Sequence, residues 1–212
     1  CASAFDTRWT NSIAYISPTF SGFSVVGAYV ADESKTSEIS SAPSRATGYD
    51  VGAKYANGPW LAAVTYNWYQ TGDQFGTTAD NVRVGGSYTT DAFSVRLWWE
   101  DTGYDFKNLS GANTNQQKWG IGGTYNLGKA KLLAQYVQAL DADNVVTSGG
   151  TLTGDNTGAQ LAMVGVEYSL SKRTMLHARY SRLSNQDGVN NNFYLNPVGQ
   201  GVTTGPSSTY SG

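Results

Sequence analysis

The stretch Val51-Gly52-Ala53-Lys54-Tyr55 recurs in modified form at 84–88, 121–125 and 164–168. In every copy the first, third and fifth residues are apolar or aromatic, whereas the second and fourth are small or polar. This period of two is typical of a β-strand with one apolar and one polar face. Each copy ends at a turn, after which a second alternating segment begins. The pattern therefore predicts a repeated β-hairpin.

Charged residues are scarce in this chain. Of its 212 residues, 14% are charged and 13% are aromatic, whereas about a quarter of a soluble domain is normally charged. No stretch approaches the roughly 20 apolar residues of a transmembrane helix, and the mean hydropathy is -0.37. Transmembrane strands need only about ten residues of alternating polarity, so they escape a hydropathy scan. The low hydropathy is therefore compatible with a membrane-spanning sheet.

The charge distribution and the cysteine content exclude two classes of function. The net charge is -2, and Lys and Arg are scattered along the sequence, so we expect no nucleic-acid partner. Cys1 is the single cysteine, which excludes an internal disulfide and a thiolate metal site. Its terminal position fits either a lipid-anchored cysteine or the arbitrary start of a fragment.

Alternation along the chain predicts ten strands, at 8–17, 23–31, 48–55, 60–69, 81–89, 93–101, 116–126, 129–140, 160–170 and 174–184. Five of the connections between them are short. The other four, at 32–47, 70–80, 102–115 and 141–159, are long and rich in Ser, Thr, Asn, Asp and Gly, as solvated loops are. Short turns at one rim and long loops at the other are typical of an outer-membrane up-and-down sheet.

The ends of the sequence predict an incomplete barrel. Lipid offers the backbone no hydrogen-bond partner, so a sheet crosses a membrane only when it is closed. Residues 186–212 have the composition of another loop, and no returning strand is predicted after the tenth. We therefore expect residues 1–212 to form a single barrel domain that lacks strands at both ends.

The two faces of the predicted sheet differ in polarity. In the third to sixth strands one face is apolar and uncharged, and its aromatic residues collect at strand ends, where a water–lipid boundary favours them. A soluble sandwich would instead pack Ile, Leu and Val between two sheets. The predicted aromatic girdles are Tyr55, Trp60, Tyr88, Phe93, Tyr125 and Tyr168 beside the short turns, and Trp68 and Trp99 near the long loops.

Two stretches carry a resemblance to a known family. Asn11-Ser12-Ile13-Ala14-Tyr15-Ile16-Ser17-Pro18-Thr19-Phe20-Ser21-Gly22-Phe23 resembles the segment after the pore-constricting third loop of Gram-negative trimeric porins of the β-proteobacterial type. Leu170-Ser171-Lys172-Arg173-Thr174 resembles the turn before their last loop. The hairpins between these stretches match in order and spacing, so the resemblance covers nearly the whole chain.

The resemblance implies a transmembrane antiparallel barrel of sixteen strands in the outer membrane of a Gram-negative bacterium. This chain would supply about strands 6 to 15, without the third loop. The barrel would be a homotrimer in contact with outer-membrane lipid, with a water-filled lumen through which small anions and other small hydrophilic solutes diffuse passively. No enzymatic activity, cofactor or metal is implied.

The alternation also assigns side chains to the lumen, which receives more cations than carboxylates. This excess predicts a weak anion preference, because rings of lumenal charge bias which ions enter. The predicted pore-lining residues are Lys54, Arg83, Arg96, Lys118, Lys131, Arg179, Glu100 and Glu167. In the resemblance, Arg8 occupies the position of a constriction arginine in anion-selective relatives.

Three alternatives to a general diffusion channel stay open. Trp98 and Tyr69 fall on the polar face and would suit a solute-specific channel in which sugars stack on aromatic rings. His177, with Ser181 and Glu167 nearby, would suit an outer-membrane hydrolase that uses the histidine as a general base. A soluble all-β adhesion domain would show the same alternation of residues.

Overall fold

The computed structural model describes residues 11–31, 47–70, 77–108, 112–147, 150–189, 191 and 209–211. These residues form thirteen strands: β1 (Ser12–Ile16), β2 (Phe23–Val30), β3 (Thr47–Asn57), β4 (Trp60–Gln70), β5 (Thr77–Thr89), β6 (Phe93–Phe106), β7 (Ala112–Leu127), β8 (Ala130–Ala139), β9 (Asn144–Thr147), β10 (Gly150–Thr153), β11 (Ala159–Ser169), β12 (Met175–Asn185) and β13 (Thr209–Ser211). No helix among them has the length and apolar character that a membrane crossing requires.

Eleven strands form one antiparallel sheet in the order β1 to β8, then β11, β12 and β13. Every strand is thus paired with its neighbours along the chain, apart from the hairpin of β9 and β10, which is inserted between β8 and β11. The predicted all-β, up-and-down antiparallel architecture is confirmed. The described sheet has β1 and β13 as its two edges.

The short connections lie at one end of the sheet, here called the turn rim. Gly58 and Gly128 open the two-residue turns between β3 and β4 and between β7 and β8, with φ of 54° and 63°. An ideal Cβ at either glycine would meet nothing within 4 Å. Glycine is therefore needed for its left-handed backbone conformation, which other L-residues adopt at a cost.

The opposite end, here called the loop rim, differs from the sequence prediction. Strand β5 begins at Thr77, β6 continues to Phe106 and β7 begins at Ala112, so the predicted connections at 70–80 and 102–115 are shorter than expected. Polar residues in these stretches continue the backbone ladder; Asp105 pairs with Thr78 and with Asn113, for example. Composition alone predicts a loop there, because amino-acid composition carries no information on which backbone groups pair.

Two further predictions about connections are wrong. The loop predicted at 141–159 contains the hairpin of β9 and β10. A strand also returns after the tenth predicted one, because β13 pairs with β12 through residues 182–184. Both segments are rich in Ser, Thr and Gly. Short strands of this composition lack the alternation of apolar and polar residues from which strands are predicted.

The strand register defines an apolar and a polar face. One cross-strand row of the apolar face contains Tyr88, Val95, Gly123, Ala134, Val164 and Tyr180. The adjacent residues on each strand point to the polar face. The buried residues collect on the polar face near the loop rim, and among them are Ala79, Asn81, Thr102, Ala139, Ala159 and Leu183.

Candidate functional site

The polar face carries most of the charged side chains of the sheet. The register places on it six cationic residues and three carboxylates: Lys54, Arg83, Arg96, Lys118, Lys131, Arg179, Asp50, Glu100 and Glu167. Every predicted pore-lining residue in the described ranges therefore lies on one surface. Arg8 lies outside the described residues.

Glu100 on β6 is held between two cations from the neighbouring strands. Arg83 on β5 lies directly opposite it, and the Arg83 Nε donates a hydrogen bond of 2.7 Å to Glu100 Oε2. On the other side the Lys118 Nζ lies 3.5 Å from Oε1. The side chain of Glu100 is 4% exposed, that of Lys118 11% and that of Arg83 45%. The group retains one net positive charge, which Arg83 presents to solvent.

Glu167 on β11 repeats this arrangement closer to the turn rim. The Arg179 guanidinium donates a hydrogen bond of 2.8 Å to Glu167 Oε1, and the Lys131 Nζ lies 3.8 Å from Oε2. Here the carboxylate is mostly buried while both cations are about half exposed. Each group thus consists of a carboxylate on the middle strand and a cation on each flanking strand. Both groups leave a surplus of positive charge on the polar face.

Arg96 is exposed on the polar face, and among the described residues it forms no ion pair. Its direct cross-strand neighbours are Ser87 and Gly122. Lys54 likewise lies between two uncharged residues. The carboxylate of Asp50 accepts a hydrogen bond of 2.7 Å from Asn67 Nδ2. The two unpaired cations add to the positive potential of this surface.

The three residues considered for hydrolysis share the polar face but do not converge. His177 lies directly opposite Glu167, whose carboxylate is already paired with Lys131 and Arg179. Ser181 is four residues further along β12, about 13 Å away at 3.3–3.4 Å per residue. A general base must lie within hydrogen-bond reach of the proton that it removes. In the described ranges no group of His, Cys, Asp and Glu residues is suited to hold a metal ion.

The apolar face has aromatic contacts at both rims. Near the turn rim the ring centroids of Trp60 and Tyr88 lie 4.5 Å apart, and those of Tyr88 and Phe93 lie 5.9 Å apart. Toward the loop rim Tyr49 stacks on Trp68 at 5.1 Å. The register places all eight predicted girdle residues on this face, namely Tyr55, Trp60, Trp68, Tyr88, Phe93, Trp99, Tyr125 and Tyr168.

Charged residues reappear on the apolar face beyond the Trp68 and Trp99 level. Asp80 lies opposite Trp68, and Asp101 and Asp105 follow Trp99 on the same face of β6. The distance from Trp60 to Trp68 along β4 is about 27 Å at 3.4 Å per residue. At the tilt of about 40° that barrel strands have, this length spans about 20 Å of height, close to the apolar belt of about 25 Å of an outer-membrane barrel.

A latch of hydrogen bonds, not predicted from the sequence, joins residues 140–142 and 157–158 to each other and to the polar face at the loop rim. The Gln116 side chain on β7 donates to the carbonyl of Leu140 at 3.0 Å. Thr157 Oγ1 accepts from the backbone N–H of Ala142 at 2.8 Å, and the N–H of Gly158 donates to Asp141 Oδ1 at 2.8 Å. The only sequence signal is the density of Asp, Asn and Thr, residues that often bond to nearby backbone.

Comparison with known proteins identifies relatives of this sheet. A family model described as Gram-negative porin matches residues 2–188. Among solved structures, an anion-selective porin from Comamonas acidovorans is similar at 25% identity with a TM-score of 0.72, over 96% of this chain and 57% of that chain. The resemblance noted in the sequence is confirmed.

Two more distant structures share the fold. The outer-membrane protein OmpT of Vibrio cholerae is 17% identical with a TM-score of 0.62, over 82% of this chain and 54% of that chain. A porin refined at 1.8 Å is 14% identical with a TM-score of 0.58, over 81% of this chain and 54% of that chain. The chain thus spans little more than half the length of these structures. No curated protein sequence matches it significantly.

Proposed function

The chain belongs to the Gram-negative porin family, and from this premise we propose that its polar face lines a water-filled channel for small hydrophilic solutes and ions in the outer membrane. Residues 1–212 are one part of the wall of a single barrel domain, and the barrel assembles as a homotrimer. Its apolar face contacts lipid, with the aromatic girdles at the two boundaries. Porin relatives with this sheet support the assignment.

One observation carries the channel function: the segregation of charge between the two faces. A transmembrane barrel needs an uncharged band toward lipid and a polar interior. Between the two aromatic levels, the apolar face of β3 to β8 and of β11 carries no charged residue, whereas the polar face of the sheet carries nine. A soluble domain has no reason to expose this uncharged band, which includes Leu97 at 57% and Tyr180 at 53% exposure.

The channel is proposed to prefer anions weakly. The polar face has six cations against three carboxylates, and the two buried or mostly buried carboxylates are each compensated by two cations. Lumenal charge acts on ions without any chemical step. The proposed transport is passive, and the separation of Ser181 from His177 and Glu167 favours a channel over a hydrolase built on these residues.

Planar-bilayer recording of the full-length protein tests this function. Under a tenfold KCl gradient, we expect open conductance with a reversal potential on the anion-selective side. Arg96→Gln is expected to shift the reversal potential toward zero. Arg182→Gln is the matched control, because the register places Arg182 on the apolar face near the loop rim. Absence of conductance, or a cation-selective wild type, overturns the proposal.

A further inference from the structure

A cavity of about 410 Å³ opens in the polar face across β6, β7 and β8. It lies on the side of the sheet that carries the charged groups, next to Arg96. Its volume falls within the range of about 300–1,000 Å³ that is usual for small-molecule sites. The residues that matter for its chemistry are Ser94, Arg96, Trp98, Gly122, Thr124 and Gln135.

The floor of this wall cavity is the indole of Trp98, which needs two glycines beside it. Trp98 lies between Gly85 on β5 and Gly120 on β7. An ideal Cβ at Gly120 would lie 2.6 Å from Trp98 Nε1 and 2.8 Å from Cζ2, and one at Gly85 would lie 3.2 Å from Trp98 Cβ. The indole therefore lies directly against the backbone of β7, and only glycine leaves room for it. The ring is half-buried and offers an aromatic surface beside Arg96.

The charge of the cavity comes from Arg96, two residues before Trp98 on the same strand. The two Cα atoms are about 7 Å apart, since each residue of a strand advances 3.3–3.4 Å. In contrast to Arg83 and Arg179, Arg96 has no carboxylate partner among the described residues. A planar guanidinium without a partner is suited to bind a carboxylate or phosphate through two parallel hydrogen bonds.

Uncharged polar groups complete the cavity. Gln135 lies directly opposite Gly122 and is exposed, so no side chain of Gly122 separates its amide from Arg96. Ser94 Oγ and Thr124 Oγ1 lie 2.9 Å apart and form a hydroxyl pair at the edge of the cavity nearer the turn rim. An amide and two hydroxyls provide both donors and acceptors for the remainder of a solute.

From these contacts we propose that the wall cavity is a binding subsite for organic anions that carry an aromatic or similarly flat ring, with Arg96 on the anionic group and Trp98 against the ring. The proposal rests on the proposed channel function and assigns a solute class to it. Inorganic anions would interact with Arg96 alone, and neutral sugars would leave Arg96 unpaired. The subsite therefore distinguishes ring-bearing anions from both.

Benzoate and acetate are the probes that test this subsite, because they share the carboxylate and differ in the ring. In bilayer recordings of the full-length protein, we expect benzoate to interrupt the KCl current at concentrations about tenfold lower than acetate does. Trp98→Ala should remove this difference, and Arg96→Gln should weaken the effect of benzoate. Trp99→Ala is the matched control, because Trp99 is the adjacent residue on the apolar face. It should respond to benzoate as the wild type does.

A second variant tests the position of the indole without removing it. Gly120→Ala places a methyl group where the indole now lies, so we expect weaker benzoate interruption with the KCl conductance retained. Gly27→Ala is the control, because an added Cβ there meets nothing within 4 Å. Equal effects of benzoate and acetate in a conducting wild type overturn the subsite alone, as does an unchanged benzoate response in Trp98→Ala. A wild type that does not conduct overturns the channel itself.

Discussion

At the scale of single residues, the two carboxylates of the polar face differ in how much they depend on their partners. Glu100 and Lys118 are both nearly buried, whereas the cations around Glu167 are half exposed. Water screens exposed ion pairs, which contribute about 0–1 kcal/mol. Removing one partner of a buried pair leaves an uncompensated charge and costs several kcal/mol. The group of one carboxylate and two cations therefore contributes more to stability at Glu100 than at Glu167.

Glu100→Gln is predicted to lower the free energy of unfolding by about 3 kcal/mol, because Lys118 loses its carboxylate inside the wall. Glu167→Gln should cost about 1 kcal/mol or less. Urea unfolding of the full-length protein, refolded into lipid vesicles, measures both values. Equal costs for the two variants would contradict the difference in burial.

Gly58→Ala is predicted to destabilise the barrel by about 1 kcal/mol, because alanine at φ of 54° places its Cβ close to the carbonyl oxygen. There is open space around this glycine, so no clash contributes to the cost. Gly27→Ala also adds a methyl group into open space, but without a positive φ. It should leave the free energy of unfolding unchanged in the same urea titration, and a cost equal to that of Gly58→Ala would exclude the conformational explanation.

At the scale of strands and loops, the sequence predicts what depends on alternation and misses what depends on pairing. Strands such as β4 and β11 are predicted nearly to their ends, because each alternates throughout. The loop-rim ends of β5 and β6 are not, since polar residues there are paired only through the backbone. The pairing of Glu100 with Lys118 likewise follows from the register of β6 and β7, which the sequence does not state because it predicts a long connection between these two strands. The latch around Thr157 is not predicted either, because its hydrogen bonds join residues that no periodic pattern relates.

Val84→Arg is predicted to destabilise the membrane-inserted barrel by about 2–4 kcal/mol, because Val84 lies on the apolar face between the two aromatic levels. Ser87→Arg, three residues along the same strand, places the same side chain on the polar face. It should insert at a cost of about 1 kcal/mol or less, from repulsion by Arg96 directly opposite, and strengthen the anion preference. Folding yield into vesicles and heat stability in detergent report the comparison. If both arginines are tolerated equally, the two faces are wrongly assigned.

Thr157→Val is predicted to loosen the latch at the loop rim. Valine keeps the shape of threonine but loses the hydroxyl that donates to the Gly154 carbonyl at 2.5 Å and accepts from the N–H of Ala142. A net loss of about 1–3 kcal/mol of local stability is expected for a buried polar group left without its partner. Faster hydrogen exchange at Ala142, with unchanged exchange at Val95 in the centre of β6, is the expected result. Unchanged exchange at Ala142 would show that the hydroxyl does not hold the segment.

At the scale of the whole molecule, selectivity by lumenal charge differs from selectivity by size in its response to salt. In the proposed channel the excess cations line a water-filled lumen, where mobile ions screen them over about 10 Å at 0.1 M and about 3 Å at 1 M ionic strength. The potential of the wall therefore extends across much of the lumen only in dilute salt. We predict that the reversal potential at a fixed tenfold KCl ratio moves toward zero as both solutions are concentrated. A reversal potential that stays constant across this range would indicate that pore dimensions, and not Arg83, Arg96 and Arg179, determine which ions pass.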